Sequence, residues 1–517
     1  MACEFRFPEL GISANELRIS PRDPDLFVDS NGGGYRMSSS GVLSRFGSRR
    51  GAEQRRRDYL TSNTPVDFDE IRRKFAILRL ADKDTNLEGR DRHLHQVRRL
   101  DLDDHDSAER VALTRLGFRP DLSREAERKI GDMAVEVMEF DRILRISETG
   151  TAFSSKGPTG LSYSQVVNAQ KALVRASFEA PASLTQGMPL PGIPNSYAKL
   201  EPSKGLCLYP PLAPLSKGGF GAISVCTMLS TRGQQVPCVF KEATVIPSSE
   251  PDAKIMQAKV AAHLENEENA TNEIFSKHAS PPVRGPILDK IQTGQSHMLV
   301  LPLMNGTLRT VAKESTHEVR QTMINKFISI LGWWFSNPYF HGDIKPDNIL
   351  ENNGELFFAD LGTWRNLNDN AHVLKVLSCG TPSYRALEDY LLLNRCNHVA
   401  ERIRYFRQID QFASSVVMFS LLSKGNLPYK HAPCKLQDTN LGEFCQGPYQ
   451  AEFLKHIHPK GQKLMQQMLE LDPRRRIPFA EAVHIIQADP HIFSFQENPT
   501  IPAVEVPNEE ITGTQVL

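Results

Sequence analysis

The chain has 517 residues, 40% hydrophobic and 24% charged, a globular profile too long for one ordinary domain. Lys plus Arg and Asp plus Glu each total 61, so net charge draws the chain neither to nucleic acid nor to a membrane surface. The eight cysteines include no C-x-x-C pair, which argues against a zinc site or a secreted disulfide framework.

The N-terminus lacks the basic and apolar segments of a secretory signal, and a cytoplasmic location is expected. Residues 1–64 read as a disordered tail, because Asn31–Gly34 and Ser38–Gly41 have flexible, polar linker chemistry. Arg45, Arg49, Arg50, Arg55, Arg56 and Arg57 form a basic cluster. No aromatic residues interleave it, so a solvated tail fits better than a nucleic-acid contact. Residues 65–180 read as helical. Phe68, Ile71, Phe75 and Leu78 step by three and four. Ser123 can cap a second helix, with Glu125 and Glu127 in its first turn and Ile130, Met133, Val137, Phe140 and Leu144 along one stripe. A third helix is predicted over about 162–178. The stripes read as the core of a small bundle; docking of a regulatory or substrate protein is the alternative. Residues 181–214 carry eight prolines. Proline has no amide hydrogen and a fixed backbone angle, so no helix is expected and 181–204 reads as an extended linker.

Leu215-Ser216-Lys217-Gly218-Gly219-Phe220-Gly221-Ala222-Ile223 is a glycine-rich hairpin in which backbone amides can approach phosphate closely, although hairpins also use glycine for geometry alone. The strand Cys238–Lys241 ends in a lysine, and Met298–Leu308 is a buried strand entering a turn. The stretch Phe327–Phe340 is too short and too interrupted to span a bilayer. It lies in a buried helix, from Ile324, that leads to His341-Gly342-Asp343-Ile344-Lys345-Pro346-Asp347-Asn348, and a strand Leu356–Ala359 presents Asp360-Leu361-Gly362. Phosphoryl transfer needs one carboxylate facing the attacking hydroxyl, a lysine for the migrating phosphate, and an amide oxygen with a second carboxylate for magnesium. Asp343, Lys345, Asn348 and Asp360 supply those types in that order. Gly380–Tyr384, Ala386-Leu387-Glu388, an apolar helix opened by Asp410, and Arg476 follow.

In this order, over about 205–492, these motifs resemble the domain of eukaryotic-type serine/threonine protein kinases, in a divergent form. The resemblance implies an α+β, two-lobed protein-kinase-like fold, with a small β-rich lobe and a larger helical lobe, preceded by the mostly helical region and followed by a flexible tail at 493–517. It implies ATP and Mg2+ as cofactors. Ser216, in place of the first family glycine, would cover the phosphates with Gly218, Gly219, Gly221 and Ile223. Lys241 would contact the α- and β-phosphates and pair with a helix carboxylate, Glu273, with Glu268 as fallback. Pro302 and Met304 would bond adenine through the backbone, the Pro302 carbonyl accepting its amino hydrogen, and Leu301 would guard the back pocket. Asn348 and Asp360 would hold magnesium, Asp410 the catalytic-loop backbone, and Glu388 would pair with Arg476.

Gly342 replaces an arginine that in the family grips an activation-segment phosphate, so switching by that route is not expected. Lys345 and Thr381 fit serine and threonine acceptors on protein substrates. Two alternatives stay open: a pseudokinase acting as a binding scaffold, and a small-molecule kinase of the aminoglycoside or choline type. An atypical kinase with an unfamiliar N-terminal region also fits a bacterial effector delivered into a host cell.

Overall fold

The computed structural model describes residues 6–7, 12–13, 17–20, 23–37, 43–45, 51–62, 68–82, 108–119, 121–147, 163–191, 196–209, 211–217, 221–232, 234–243, 253–293, 296–374, 380–386, 396–429 and 454–495. The chain divides into two units. The first is 1–213 with 226–237 and 291–295; the second is 214–225 with 238–290 and 296–517.

In the first unit, Asp29 turns the early glycine run into a hairpin. Its Oδ1 accepts the amides of Asn31 and Gly33 at 2.8 and 2.7 Å, and the Tyr35 hydroxyl donates to Oδ2 at 2.7 Å. A carboxylate that satisfies its own following amides is turn chemistry, so the Gly-rich stretch does not behave as a linker. Strands β1 (Leu17–Ser20), β2 (Asp23–Asp29), β3 (Gly34–Met37) and β4 (Leu43–Arg45) form an antiparallel sheet in that order, and helix α1 (Ala52–Thr61) follows. The expectation of a disordered tail over 1–64 is thereby corrected for the described residues.

Helices α2 (Phe68–Asp82), α3 (Ala108–Arg115), α4 (Arg124–Ser147) and α5 (Tyr163–Glu179) occupy the region predicted to be helical. Ser123 Oγ accepts the Ala126 amide at 3.3 Å, and Ile130, Met133 and Val137 are buried in one core with Ile77, Leu78, Leu173 and Val174. The linker expected over 181–204 is corrected too. Pro181 opens a short helix α6 (Pro181–Gln186), at the first helical position where no amide hydrogen is needed. Strand β5 (Tyr197–Glu201) then pairs antiparallel with β6 (Gly205–Tyr209), and Ala198, Leu206 and Leu208 join the same core.

Strand β7 (Pro211–Lys217), which enters the second unit at Pro214, pairs with β8 (Gly221–Ser230), which leaves it after Val225, as the two arms of the glycine-rich hairpin; 218–220 lie outside the described residues. Strand β9 (Gln235–Ala243) pairs antiparallel with β10 (Ser296–Pro302), from Cys238 opposite Pro302 to Glu242 opposite Met298. Helix α7 (Ala253–Lys277) buries Val260, Leu264, Ala270 and Ile274, and Leu264 shares a cluster with Val239, Leu299 and Leu301. The larger part is helical: α8 (Leu308–Glu314), α9 (His317–Ser336), α10 (Val399–Leu422), α11 (Pro459–Met468) and α12 (Phe479–Ala488). Every residue of α10 from Ile409 to Leu422 is buried, the signature of a helix at the centre of a core rather than on its face. A strand-rich part followed by a larger helical part is the expected α+β, kinase-like arrangement. The loose tail expected from 493 is corrected for residues 493–495: Phe493 is fully buried and the Phe495 ring centre lies 4.0 Å from that of His317. Among the described residues no helix is long and apolar enough to cross a membrane.

Candidate active site

The central helix fixes the loop that follows α9. Asp410, on α10, is buried; its Oδ2 accepts the His341 amide at 2.7 Å and the Trp334 indole at 3.3 Å, and its Oδ1 accepts the Gly342 amide at 3.0 Å. Burial pushes the carboxyl up to about 7, against the pull of those amide hydrogens. His341 is fully buried with Nε2 3.1 Å from the Ala359 carbonyl, and burial lowers it to about 4, leaving a neutral imidazole at physiological pH. Gly342 has φ +82°, and a Cβ there would lie 2.9 Å from the Phe340 ring and 3.1 Å from Thr363 Oγ1. A side chain at 342 would therefore be strained and crowded in the turn that seats this loop, and glycine meets neither penalty.

Asp343 emerges from that turn. Its Oδ2 accepts Lys345 Nζ at 2.8 Å and Asn348 Nδ2 at 2.9 Å; its Oδ1 accepts the Thr381 amide at 2.7 Å and the Thr381 hydroxyl at 2.8 Å. Lys345 also donates to Thr381 Oγ1 at 2.7 Å. Asn348 Nδ2 donates further to the Asp343 carbonyl at 2.9 Å, so its amide nitrogen is committed and Oδ1 is the atom left for a cation. Asp347 points the other way, into a two-pronged pair with Arg309 at 2.6 Å on each side. Sequence reasoning did not single out Arg309.

A second cluster gathers around Asp360, whose backbone is left-handed at φ 60° and ψ 61°. Lys241 Nζ lies 2.6 Å from its Oδ1 and also donates to Glu267; His263 Nε2 is 3.0 Å from the same Oδ1. Burial would pull the Lys241 ammonium down, but Asp360 and Glu267 carry it above the ordinary lysine range. Burial likewise works to raise Asp360, and Lys241 with His263 outweighs it, so the carboxyl stays well below its usual range. The pairing expected between Lys241 and Glu273 is corrected to Glu267. Glu273 instead accepts Lys277 and Asn366 at 2.6 and 2.7 Å, and the fallback Glu268 holds Lys290 at 2.8 Å and His297 at 3.2 Å. The reason is helical register. Glu267 falls between Leu264 and Ala270 on the buried stripe, whereas Glu273 is off that face and 28% exposed. An acid on a buried stripe needs a cation, and that signal could have selected it.

The same stripe holds two groups that sequence reasoning missed. His263 touches Asp360, and Asn266 Nδ2 donates to the carbonyls of Gly362 and Trp364 at 2.9 and 3.0 Å. A Cβ at Gly362 would lie 2.0 Å from His263 Nε2, so only glycine admits the helix this close. The Asp343 and Asp360 loops are laced together, since the Ala359 amide donates to the Asn348 carbonyl at 2.9 Å.

Of the remaining predicted residues, Leu301 is buried, Met304 is half-buried, and Ser216, Gly221 and Ile223 stand on the arms of the hairpin; Ile223 packs against the Val239–Leu301 cluster. Gly218 and Gly219 lie outside the described residues. The Pro302 carbonyl, expected to receive adenine, already accepts Arg284 Nε and Nη2 at 3.1 and 3.0 Å. Glu388 is outside the described residues; Arg476 donates to the carbonyls of Glu470 and Gln408 at 2.8 and 2.9 Å and lies 4.9 Å from the Phe412 ring centre.

Among the described residues no group of three or more His, Cys, Asp or Glu side chains is arranged to hold a metal. Asn348 Oδ1 and the Asp360 carboxylate are two hard oxygens, the partial set that magnesium uses when phosphate oxygens and water complete its shell. The residues present fit that ion.

Residues 249–486 match the family model described as the protein kinase domain. The chain is 26% identical over 301 residues to mitogen-activated protein kinase 3 of Arabidopsis thaliana, covering 53% of this chain and 76% of that one. It is 26% identical over 205 residues to the liver/testis isoform of the phosphorylase b kinase gamma catalytic chain of Homo sapiens, covering 38% and 48%. It is 23% identical over 306 residues to the SNF1-like protein kinase ssp2 of Schizosaccharomyces pombe, covering 58% and 46%. The alignments thus span less than half of the last two relatives. The chain carries a divergent protein-kinase-superfamily domain, distantly related to serine/threonine kinases.

Proposed function

We propose that this divergent protein-kinase-superfamily domain is catalytically active and transfers the γ-phosphate of ATP, with Mg2+, to serine and threonine hydroxyls of protein substrates. The observation that carries the reading is the Asp343 carboxylate held by Lys345, Asn348 and Thr381. In this reading Asp343 orients the acceptor hydroxyl and takes its proton, and Lys345 neutralises the phosphate from the acceptor side. Lys241, fixed by Glu267, contacts the α- and β-phosphates. Ser216, Gly218, Gly219, Gly221 and Ile223 cover the phosphates, and Leu301, Pro302 and Met304 border the base. Asn348 and Asp360 hold magnesium, which when bound supplies charge neutralisation on the phosphates. Glu273 has no part in it. The N-terminal helical region, 65–180, is proposed to dock a regulatory or substrate protein.

The test is incubation with γ-labelled ATP, Mg2+ and a mixed protein substrate, followed by phosphoamino-acid analysis. Phosphoserine and phosphothreonine are expected. Asp343→Ala should abolish transfer while Mg·ATP binding stays within about threefold, because Asp343 acts on the acceptor and not on the nucleotide. Wild-type turnover in Asp343→Ala would sink the assignment. Predominant phosphotyrosine would overturn the acceptor class, and label confined to a small metabolite would favour a small-molecule kinase.

A further inference from the structure

Arg284 has no part in the transfer chemistry, yet it is only 8% exposed. Its guanidinium gives two N–H groups to the Pro302 carbonyl, and among the described residues no carboxylate forms an ion pair with it. A guanidinium carries five N–H donors, so others remain to be matched. Burial lowers Arg284 to about 10, which still leaves it charged at neutral pH. Glu267 and Asp360 support that charge from a distance, and the guanidinium's remaining N–H groups bond no protein acceptor among the described residues, which leaves them to water or to a ligand.

The position of Arg284 says what that ligand atom is. Pro302 faces Cys238 across the β9–β10 ladder, and Leu299 faces Lys241. Three residues of strand separate the two pairs, about 10 Å at roughly 3.3 Å per residue. That is close to the span from an α-phosphate across ribose to the far edge of a purine. With Lys241 on the phosphates, as proposed above, the 6-position of the base falls at Pro302 and Arg284. A 6-amino group donates, and needs a carbonyl whose two lone pairs are already engaged by Arg284. A 6-oxo group accepts, and can take the donors Arg284 has left.

We propose that Arg284 makes the base site read 6-oxo purines, so that inosine and guanosine triphosphates bind at least as tightly as ATP and serve as phosphate donors. The inference rests on the kinase reading of Lys241 and Pro302. Its test is calorimetric binding of Mg·ATP and Mg·ITP to the full chain; ITP differs from ATP in the 6-oxo group and the N1 hydrogen that accompanies it. The wild type is expected to bind ITP no more weakly than ATP. Arg284→Met bares the Pro302 carbonyl and removes the donors, so the ITP-to-ATP affinity ratio should fall about tenfold or more, the worth of roughly one hydrogen bond. Wild-type preference for ATP beyond tenfold, or an unchanged ratio in a folded Arg284→Met, overturns the proposal. If Arg284→Met does not fold, the wild-type ratio decides alone. Binding of ATP without ITP defeats only the base preference. Failure of both to bind in a Mg2+-dependent way defeats the kinase reading as well.

Discussion

Glu267→Gln tests which carboxylate of α7 serves Lys241. The side chains of Lys241 and Glu267 are 6% and 4% exposed, so solvent screens their contact little. Breaking a buried pair outright costs about 3–5 kcal/mol because one charge is left alone. Here Asp360 remains 2.6 Å from the ammonium, so the loss is nearer that of one charge-assisted hydrogen bond, about 1.5–3 kcal/mol. The effect on transfer should be larger. With Glu267 neutral, Lys241 is left to Asp360, the group assigned to magnesium, and a displacement of about 1 Å at a reacting centre can cost about 100-fold. Glu273→Gln is the control. Its pair with Lys277 is 28% and 51% exposed and should be worth about 0–1 kcal/mol. Urea midpoints at constant m-value give the stabilities, and initial rates of label incorporation give the activities. A near-wild-type rate in Glu267→Gln together with a collapse in Glu273→Gln would refute the reasoning.

Phosphatase treatment should leave initial rates within about twofold, because Gly342 has no side chain to hold an activation-segment phosphate; a large loss restored by autophosphorylation would contradict this. Two buried groups oppose each other in pH dependence. His341 is depressed to about 4, so as pH falls from about 6.5 to 4 the unfolded chain takes up the proton first and stability is lost, up to about 3 kcal/mol. Asp410 is raised to about 7, so between about 4 and 7 the folded chain binds the extra proton and stability is gained as pH falls. The two flatten the wild-type profile, and Asp410→Asn should unmask the acid loss from His341, seen as a urea midpoint that falls below pH 6.5; an unchanged, flat profile would reject the assignment.

Much of the second unit was legible because its chemistry is local in sequence. Asp343, Lys345 and Asn348 lie within six residues, and the short loop brings them together directly. The Lys241 partner was not legible in the same way. It depends on which face of α7 is buried, and the run from Glu265 to Glu268 offers acids on several faces. The apolar stripe through Val260, Leu264, Ala270 and Ile274 resolves it once the acid is required to share that stripe. In the first unit the helices of 65–180 were legible, but the glycine and proline stretches were misread for a different reason. Composition reads glycine and proline as breakers, but Asp29 uses glycines to close a hairpin and Pro181 starts a helix where its missing hydrogen is harmless. Arg284 was invisible because its partner is a backbone carbonyl eighteen residues away, which no side-chain pattern encodes.

The contacts of Asp343 also bear on how an acceptor enters. A carboxylate offers about four lone-pair sites, and four donors occupy it: Lys345 Nζ, Asn348 Nδ2, and the amide and hydroxyl of Thr381. An incoming hydroxyl therefore has to displace one of them. The Thr381 amide belongs to the segment backbone. Asn348 is anchored a second time on the Asp343 carbonyl, and in the proposed mechanism Lys345 stays beside the phosphate. The Thr381 hydroxyl is the donor that leaves by a single side-chain rotation. A serine or threonine hydroxyl would replace it like for like by donating to Asp343 and accepting from Lys345, as Thr381 Oγ1 does, so the exchange would change the net hydrogen-bond free energy by less than about 1 kcal/mol. A tyrosine hydroxyl stands at the end of a rigid ring and would need the segment around Thr381 to withdraw, losing the amide contact as well. On this reasoning the proposed preference for short hydroxyl acceptors resides in the Asp343–Thr381 contact, and Lys345 reinforces it by bonding both residues.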